Sequence, residues 1–244
     1  MRKSTVTLCS IFVLWTLSLN AFAQAVYPET DAKAAVGVKF STLGAGIEVA
    51  TPVTHRSNIR VGFNAFSYSR GLDKDNIHYN ADMEFRSLEA HYDFFPFAGG
   101  FHVSPGILAW LTSPVTANSL VAGGQSFTLG GTSFVSDPTD PVNGRGKIEF
   151  NRVGPSFTVG WGNLLPRSKK RFTIPFEVGI VYQGAPKATL NLTGSACDSS
   201  GVNCRSTTDP TIQSHIQSEQ TKINNDINFF QVYPIISIGF GFKF

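Results

Sequence analysis

After residue 23 the sequence has no apolar run that approaches the roughly 20 residues a membrane-spanning helix needs. If the mature chain enters a bilayer, it must do so as a closed barrel, because only helices and barrels satisfy every backbone group in lipid. Charge is sparse, at 15% of residues, and evenly split. Without Arg2 and Lys3, 18 basic residues face 17 acidic ones, so nothing electrostatic points to nucleic acid. Glycine-rich pieces such as "GAG" and "GGTSFVSD" lack a strand-to-helix context and imply no phosphate loop. "DKDN" lacks the spacing of a calcium loop, and no four residues have zinc spacing, so no cofactor or metal is expected. No linker-like stretch divides the chain, which reads as one domain over residues 24–244.

What is present begins with an export signal. Arg2 and Lys3 precede the apolar "LCSIFVLWTLSL", and small Ala21 and Ala23 follow. This pattern reads as a signal peptide over residues 1–23, cleaved after Ala23. Cys9 lies too early, and lacks the small residues ahead of it, for a lipid-modified cysteine. The remaining cysteines, Cys197 and Cys204, enclose Asp, Ser and Gly in "CDSSGVNC". In an exported protein such a pair predicts a disulfide closing a small loop.

The dominant pattern is alternation. Successive side chains of a strand point to opposite faces, so a sheet with lipid outside and a narrow polar interior alternates in sequence. In "YPIISIGFGFKF" Pro234, Ile236, Ile238, Phe240, Phe242 and Phe244 share one parity, while Tyr233, Ile235, Ser237, Gly239, Gly241 and Lys243 share the other. Similar alternation marks 172–182, 59–65 and 77–94. In the last, the apolar parity changes after Arg86, which predicts a β-bulge. Weaker strands are expected at 101–112 and 147–161, with a slip near Asn151 and Arg152. Two more flank a turn at Ser41 to Leu43, with one long bulged strand as the alternative.

The total is eight antiparallel strands of an up-and-down transmembrane barrel, or ten if 113–146 adds a hairpin. Eight place the short links (52–57, "FPFAGG", "NLLPRSKK") on one side and the long ones ("GLDKDN", 113–146, 187–228) on the other, as outer-membrane barrels do. "DPTIQSHIQSEQTKINNDI" predicts a helix capped by Asp209 with Pro210 in its first turn. Its stripe of Ile212, Ile216, Ile223 and Ile227 would pack on the barrel rim.

Inner-parity charges comprise Lys39, Arg60, Arg86, Lys147, Arg152 and Lys243 against Glu48, Asp82, Glu84, Glu89, Asp93, Glu149 and Glu177. Eight strands leave room only for side chains, so with His91 these predict an internal ion-pair network and a closed lumen. The expected role is structural or interactive, through long external loops. Apolar Phe66, Leu108 and Trp110 on the lumen side motivate an alternative, a channel for small or apolar solutes. Neighbouring Glu89, His91, Asp93, His102 and Ser104 motivate a third, a lipid- or peptide-modifying enzyme, but they lie at the end away from outside substrates. His78, Asp73, Asp75 and Asp82 form a looser group near the outer end, without a nucleophile.

The signal peptide, the strand pattern and the terminal Phe244 together resemble the small outer-membrane β-barrel proteins of Gram-negative bacteria, the OmpA/OmpX/OmpW-like group. The resemblance implies an integral, monomeric outer-membrane protein surrounded by lipid. It also implies that Tyr233, Phe240, Phe242 and Phe244 form a C-terminal signal read by the barrel-insertion machinery. Unlike OmpA, no peptidoglycan-binding domain is expected after the barrel.

Overall fold

The computed structural model describes residues 33–244, apart from 75–76, 98, 113–114 and 167–169. The expected signal peptide lies outside the described residues. The alternating segments become strands: β1 (Ala35–Ser41), β2 (Gly44–Thr54), β3 (Ser57–Lys74), β4 (Ile77–Phe94), β5 (Phe101–Trp110), β6 (Val115–Leu120), β7 (Ser126–Leu129), β8 (Thr132–Ser136), β9 (Asn143–Glu149), β10 (Val153–Trp161), β11 (Phe172–Thr173), β12 (Phe176–Tyr182), β13 (Lys187–Thr193), β14 (Ser195–Cys197) and β15 (Arg205–Ser206). Helix α1 (Pro210–Ile227) and β16 (Val232–Lys243) complete the chain.

Antiparallel pairing runs β1, β2, β3, β4, β5, β10, β12, β16 and back to β1, which closes an eight-stranded barrel. The 113–146 segment does not supply a ninth and tenth strand. Its β6 pairs with the upper part of β4, at His78–Met83, whereas β5 pairs with the lower part, from Ser87. The wall then continues through β9 to β13, so five strands, β3, β4, β6, β9 and β13, rise above one side of the barrel. The opposite wall is low, because β1 and β2 turn at Thr42–Leu43. β2 reaches β3 only as far as the pair Ala45 and Ala65, so among the described residues β3 above Ala65 pairs with β4 alone.

The barrel is apolar outside. Phe40, Ile47 and Trp161 are 65%, 63% and 66% exposed, and they belong to a belt with Val38, Val49, Ile107, Phe157, Ile180, Ile236 and Phe240. Along β16 the belt runs from Val232 to Phe242, about 33 Å of strand, or ~25 Å along the normal of a barrel whose strands tilt ~40°. That height matches the apolar band of a bilayer-spanning barrel.

Above the barrel a second sheet, ordered β15, β14, β8, β7, packs with α1 into a head with its own core. Asp209 caps the helix by accepting from the Thr211 N–H at 2.8 Å, and Pro210 needs no donor in the first turn. Ile212 and Ile216, one turn apart, are buried with Val121, Leu129, Phe134, Val142 and Ala196. The helix thus packs on the head sheets rather than on the barrel rim. It also seals the β13 edge. The Gln220 and Asn224 side chains, four residues apart, accept from the Leu190 and Ala188 N–H groups at 3.2 and 2.7 Å.

The bulge expected after Arg86 is absent. Pairing of β3 with β4 runs in one register from Ser57 opposite Phe94 to Lys74 opposite Ile77. Phe85 therefore points inward like Ser87, Glu89 and His91. The apolar set changes parity because the surroundings change: below Arg86 the outside is the apolar belt, and above it the outside is polar while the inside is packed. The slip expected near Asn151 is instead a break between β9 and β10, where Phe150 turns inward onto Trp110.

Candidate functional site

Inside the lower barrel, Lys39, Glu48, Arg60, Glu89, His91, Asp93, His102 and Glu177 are all at least 95% buried. Arg60 is the hub. Its Nε and Nη2 donate to the two Asp93 oxygens, both at 3.1 Å, Nη1 to Glu48 Oε2 at 3.0 Å, and Nη2 also to Glu177 Oε1 at 2.5 Å. Lys39 pairs with Glu89 and lies 3.8 Å from Glu48. His102 Nε2 is 3.0 Å from Glu177, and His91 Nε2 is 3.6 Å from Glu89. Two fixed cations therefore hold four carboxylates and two imidazoles in one connected set.

The sequence makes room for this set by placing glycine beside the long side chains. Gly62 lies between Glu48 and Glu89 in register, and a Cβ there would meet Glu89 Oε1 at 2.7 Å. Gly160 lies between His102 and Glu177, and a Cβ would meet His102 Nε2 at 2.7 Å.

Both ends of this chamber are stoppered. At the end carrying the chain terminus, Leu164 and Leu165 pack against Ala35 and Ala50. Asn163 Oδ1 fixes that turn by accepting from Asn58 Nδ2 and the Leu165 N–H, both at 2.9 Å. At the other end Leu43, Leu108, Trp110, Val181 and Ile235 form a buried cluster with Phe85, Phe150 and Tyr233. Trp110 sits 5.5 Å from Phe85 and 5.9 Å from Tyr233 between ring centres.

Of the expected lumen residues, Glu48, Arg60, Glu89, His91, Asp93 and Glu177 come together here, and Asp82, Glu84, Arg86, Glu149 and Arg152 do not. The Arg86 and Glu84 side chains are 56% and 43% exposed and pair with each other at 2.6 Å. Glu149 is exposed and pairs with Lys147 at 2.8 Å, Arg152 is exposed, and Asp82 accepts from Ser69. All five lie above the parity change, where the outward face is polar. Lys243 likewise leaves the set, donating to the Pro166 carbonyl. Sequence reasoning missed the two stoppers. Leu164 and Leu165 sit in a turn without periodicity, and Phe85 was placed on the outer parity by the expected bulge, which the continuous β3–β4 register removes.

The acid, histidine and serine neighbours do not assemble a nucleophile. Ser104 donates to Asp93 at 2.7 Å, and His91 Nδ1 is 3.4 Å from the Ser104 carbonyl rather than its hydroxyl. Nearer the head, His78 is exposed, and Asp75 and the Asp73 side chain lie outside the described residues. Of the terminal residues, Phe240 and Phe242 flank the Phe172 ring at 5.6 and 5.2 Å, and exposed Phe244 meets Phe242 at 5.3 Å. Tyr233 lies on the other parity, in the stopper, donating to the Thr42 carbonyl at 2.6 Å.

In the head, Cys197 and Cys204 are bonded. Asp137 lies beside them, and with both sulfurs in the disulfide this trio has no thiolate for a metal. Within the loop, the Ser200 hydroxyl, Asn203 amide and Val202 N–H donate to Asp198 and lower its carboxyl pKa to about 2.

No protein-family model matches the sequence, and no curated protein matches it. Solved structures share the fold, among them two from Acinetobacter baumannii. Acinetobacter baumannii CarO2 matches with 18% identity and a TM-score of 0.51, over 86% of this chain and 98% of its own. Acinetobacter baumannii CarO matches with 21% identity and the same TM-score, over 87% of this chain and 98% of its own, so the chain is similar in fold to CarO across nearly the whole of that protein.

Proposed function

We propose that this chain is an integral outer-membrane protein whose barrel is closed to solutes and serves as a rigid mount for the head, a structural or interaction role. The observation that carries this reading is the continuous filling of the lumen: leucine stopper, ion-pair chamber, aromatic stopper. Of the residues that on sequence alone suggested a solute path, Leu108 and Trp110 are 0% and 5% exposed within that filling, while Phe66, 6.1 Å from the Phe85 ring, stays 42% exposed. The apolar belt supports lipid as the surroundings, and the exposed Phe240 and Phe244 support a terminus that an insertion machinery reads. The head, with its disulfide and capped helix, would face outward and meet a partner.

Planar-bilayer recording tests the closed state. Purified protein gives no stable conductance steps in symmetric salt, while a double variant, Trp110→Ala with Leu165→Ala, gives measurable leak. A steady open channel in the unmodified protein would overturn the proposal.

A further inference from the structure

The head contains an apolar cleft of about 170 Å³, apart from the lumen and bordered by Leu190, which also packs on the head core. Its floor is the packed face of the raised wall. Val115, Ile148 and Ala188 lie side by side across β6, β9 and β13, and Ala117, Gly146 and Leu190 form the next row. Ile223 of α1 forms the roof. The flanking bonds from Gln220 and Asn224 to the β13 edge hold the roof in place, so the helix does not simply collapse onto the floor. Lys147, at the rim, is engaged by Glu149.

Gly146 is the informative residue. Glycine weakens a strand interior and commonly marks a bulge or a place where something approaches the backbone closely. Neighbouring Gly144 has a packing reason, since a Cβ there would meet Ser119 Oγ at 2.5 Å. A Cβ on Gly146 would meet nothing nearer than the Ala117 carbonyl at 3.9 Å, and Gly146 is not among the glycines with positive φ. Neither sterics nor backbone conformation requires glycine here. Its effect is to leave the cleft empty, where a valine or leucine would fill it.

An apolar cavity of ~150 Å³ stays dry and takes up benzene or xenon, because water entering it finds no polar partners. This cleft is of that size and, though open to solvent on one side, is lined mainly by aliphatic side chains and backbone, with Thr189 and Lys147 completing the lining. We propose that it binds an uncharged apolar group the size of one aromatic ring, an aryl or short branched alkyl moiety, between Gly146 and Ile223.

The test is methyl NMR on the full mature protein in lipid nanodiscs, with benzene as the probe. Saturable shifts are expected at the Ala117, Ile148, Ala188, Leu190 and Ile223 methyls, while belt methyls such as Ile47 and Val159 drift without saturating as benzene enters the lipid. Gly146→Leu should weaken the saturable response at least tenfold and leave the Ile212 and Ile216 methyls unmoved, which reports an intact head. A second measurement needs no variant: crystals of the unmodified protein under xenon pressure should show xenon in the cleft. Unsaturable shifts at the cleft methyls, a response unchanged in Gly146→Leu, or ordered water in place of xenon would each overturn the proposal. None of these readouts depends on whether the lumen conducts.

Discussion

Replacing Arg60 by methionine keeps the bulk of the side chain and removes its charge from the centre of the chamber. Glu48, Asp93 and Glu177 lose the guanidinium that accepts their charge, and Lys39, engaged with Glu89 and 3.8 Å from Glu48, is the one fixed cation left among the described buried residues. Breaking a buried pair from one side costs about 3–5 kcal/mol, because the partner stays buried and uncompensated. Arg60 serves three carboxylates, so the upper half of that range is expected, about 4–5 kcal/mol. Urea titration of protein folded into lipid vesicles reads this directly. At a slope of ~2 kcal/mol/M, the midpoint falls by ~2 M. Arg86→Met is the control. Arg86 also carries a partner carboxylate but is more than half exposed, and it should cost under ~1 kcal/mol. Adding Asp93→Asn to Arg60→Met should cost much less than the two single losses together, since the second change removes a charge the first left bare. Equal losses for Arg60→Met and Arg86→Met, or additivity in the double variant, would refute the hub.

Deleting Phe244 removes a ring from the Phe172, Phe242 and Phe244 group and the backbone bond to Ala34, and it is expected to lower the folded amount in the membrane several-fold; normal heat-modifiable band intensity would count against it. Cys197→Ser with Cys204→Ser opens an eight-residue loop and should weaken the head by ~2 kcal/mol while the barrel's urea midpoint stays put, read separately by limited proteolysis and by the gel shift. Because the folded pKa of Asp198 lies below the ordinary aspartate value near 4, its bonds stabilise the loop fully above that value and are lost as pH falls toward about 2. Carboxyl NMR should show a midpoint near 2, and a midpoint near 4 would mean that the Ser200 and Asn203 contacts do not persist in solution.

The staves of the barrel were legible because an apolar exterior and polar contents inside impose a period of two on β1, β3, β12 and β16. The same period was read too literally above the belt. At Arg86 the sequence exchanges its apolar and polar parities without inserting a residue, and periodicity alone cannot separate that from a bulge. Only the uninterrupted β3–β4 register does. The consequence was to count Asp82, Glu84 and Arg86 as lumen residues when they face outward. The lumen charges below the exchange point stayed legible, since parity there has one meaning. Gly241, on the inner parity of β16, makes room for Leu164, which a Cβ there would meet at 2.6 Å. A turn that folds back into the barrel leaves no periodic trace.

The free edge of β3 above Ala65 has a consequence for how copies of the protein meet. One margin of the raised wall, β13, is closed by two carboxamides of α1, and the other, among the described residues, has no strand partner from Phe66 upward. In solution such a margin invites a second copy to add its own strand head to tail. A bilayer that holds every copy with the same end up forbids that meeting, since two β3 strands then climb in the same direction and antiparallel matching would require one of them inverted. On the proposed membrane insertion this margin, which carries no proline or lysine at Phe66 to Gly71, is shielded from antiparallel addition, and the interval of exposure is the time before the barrel closes.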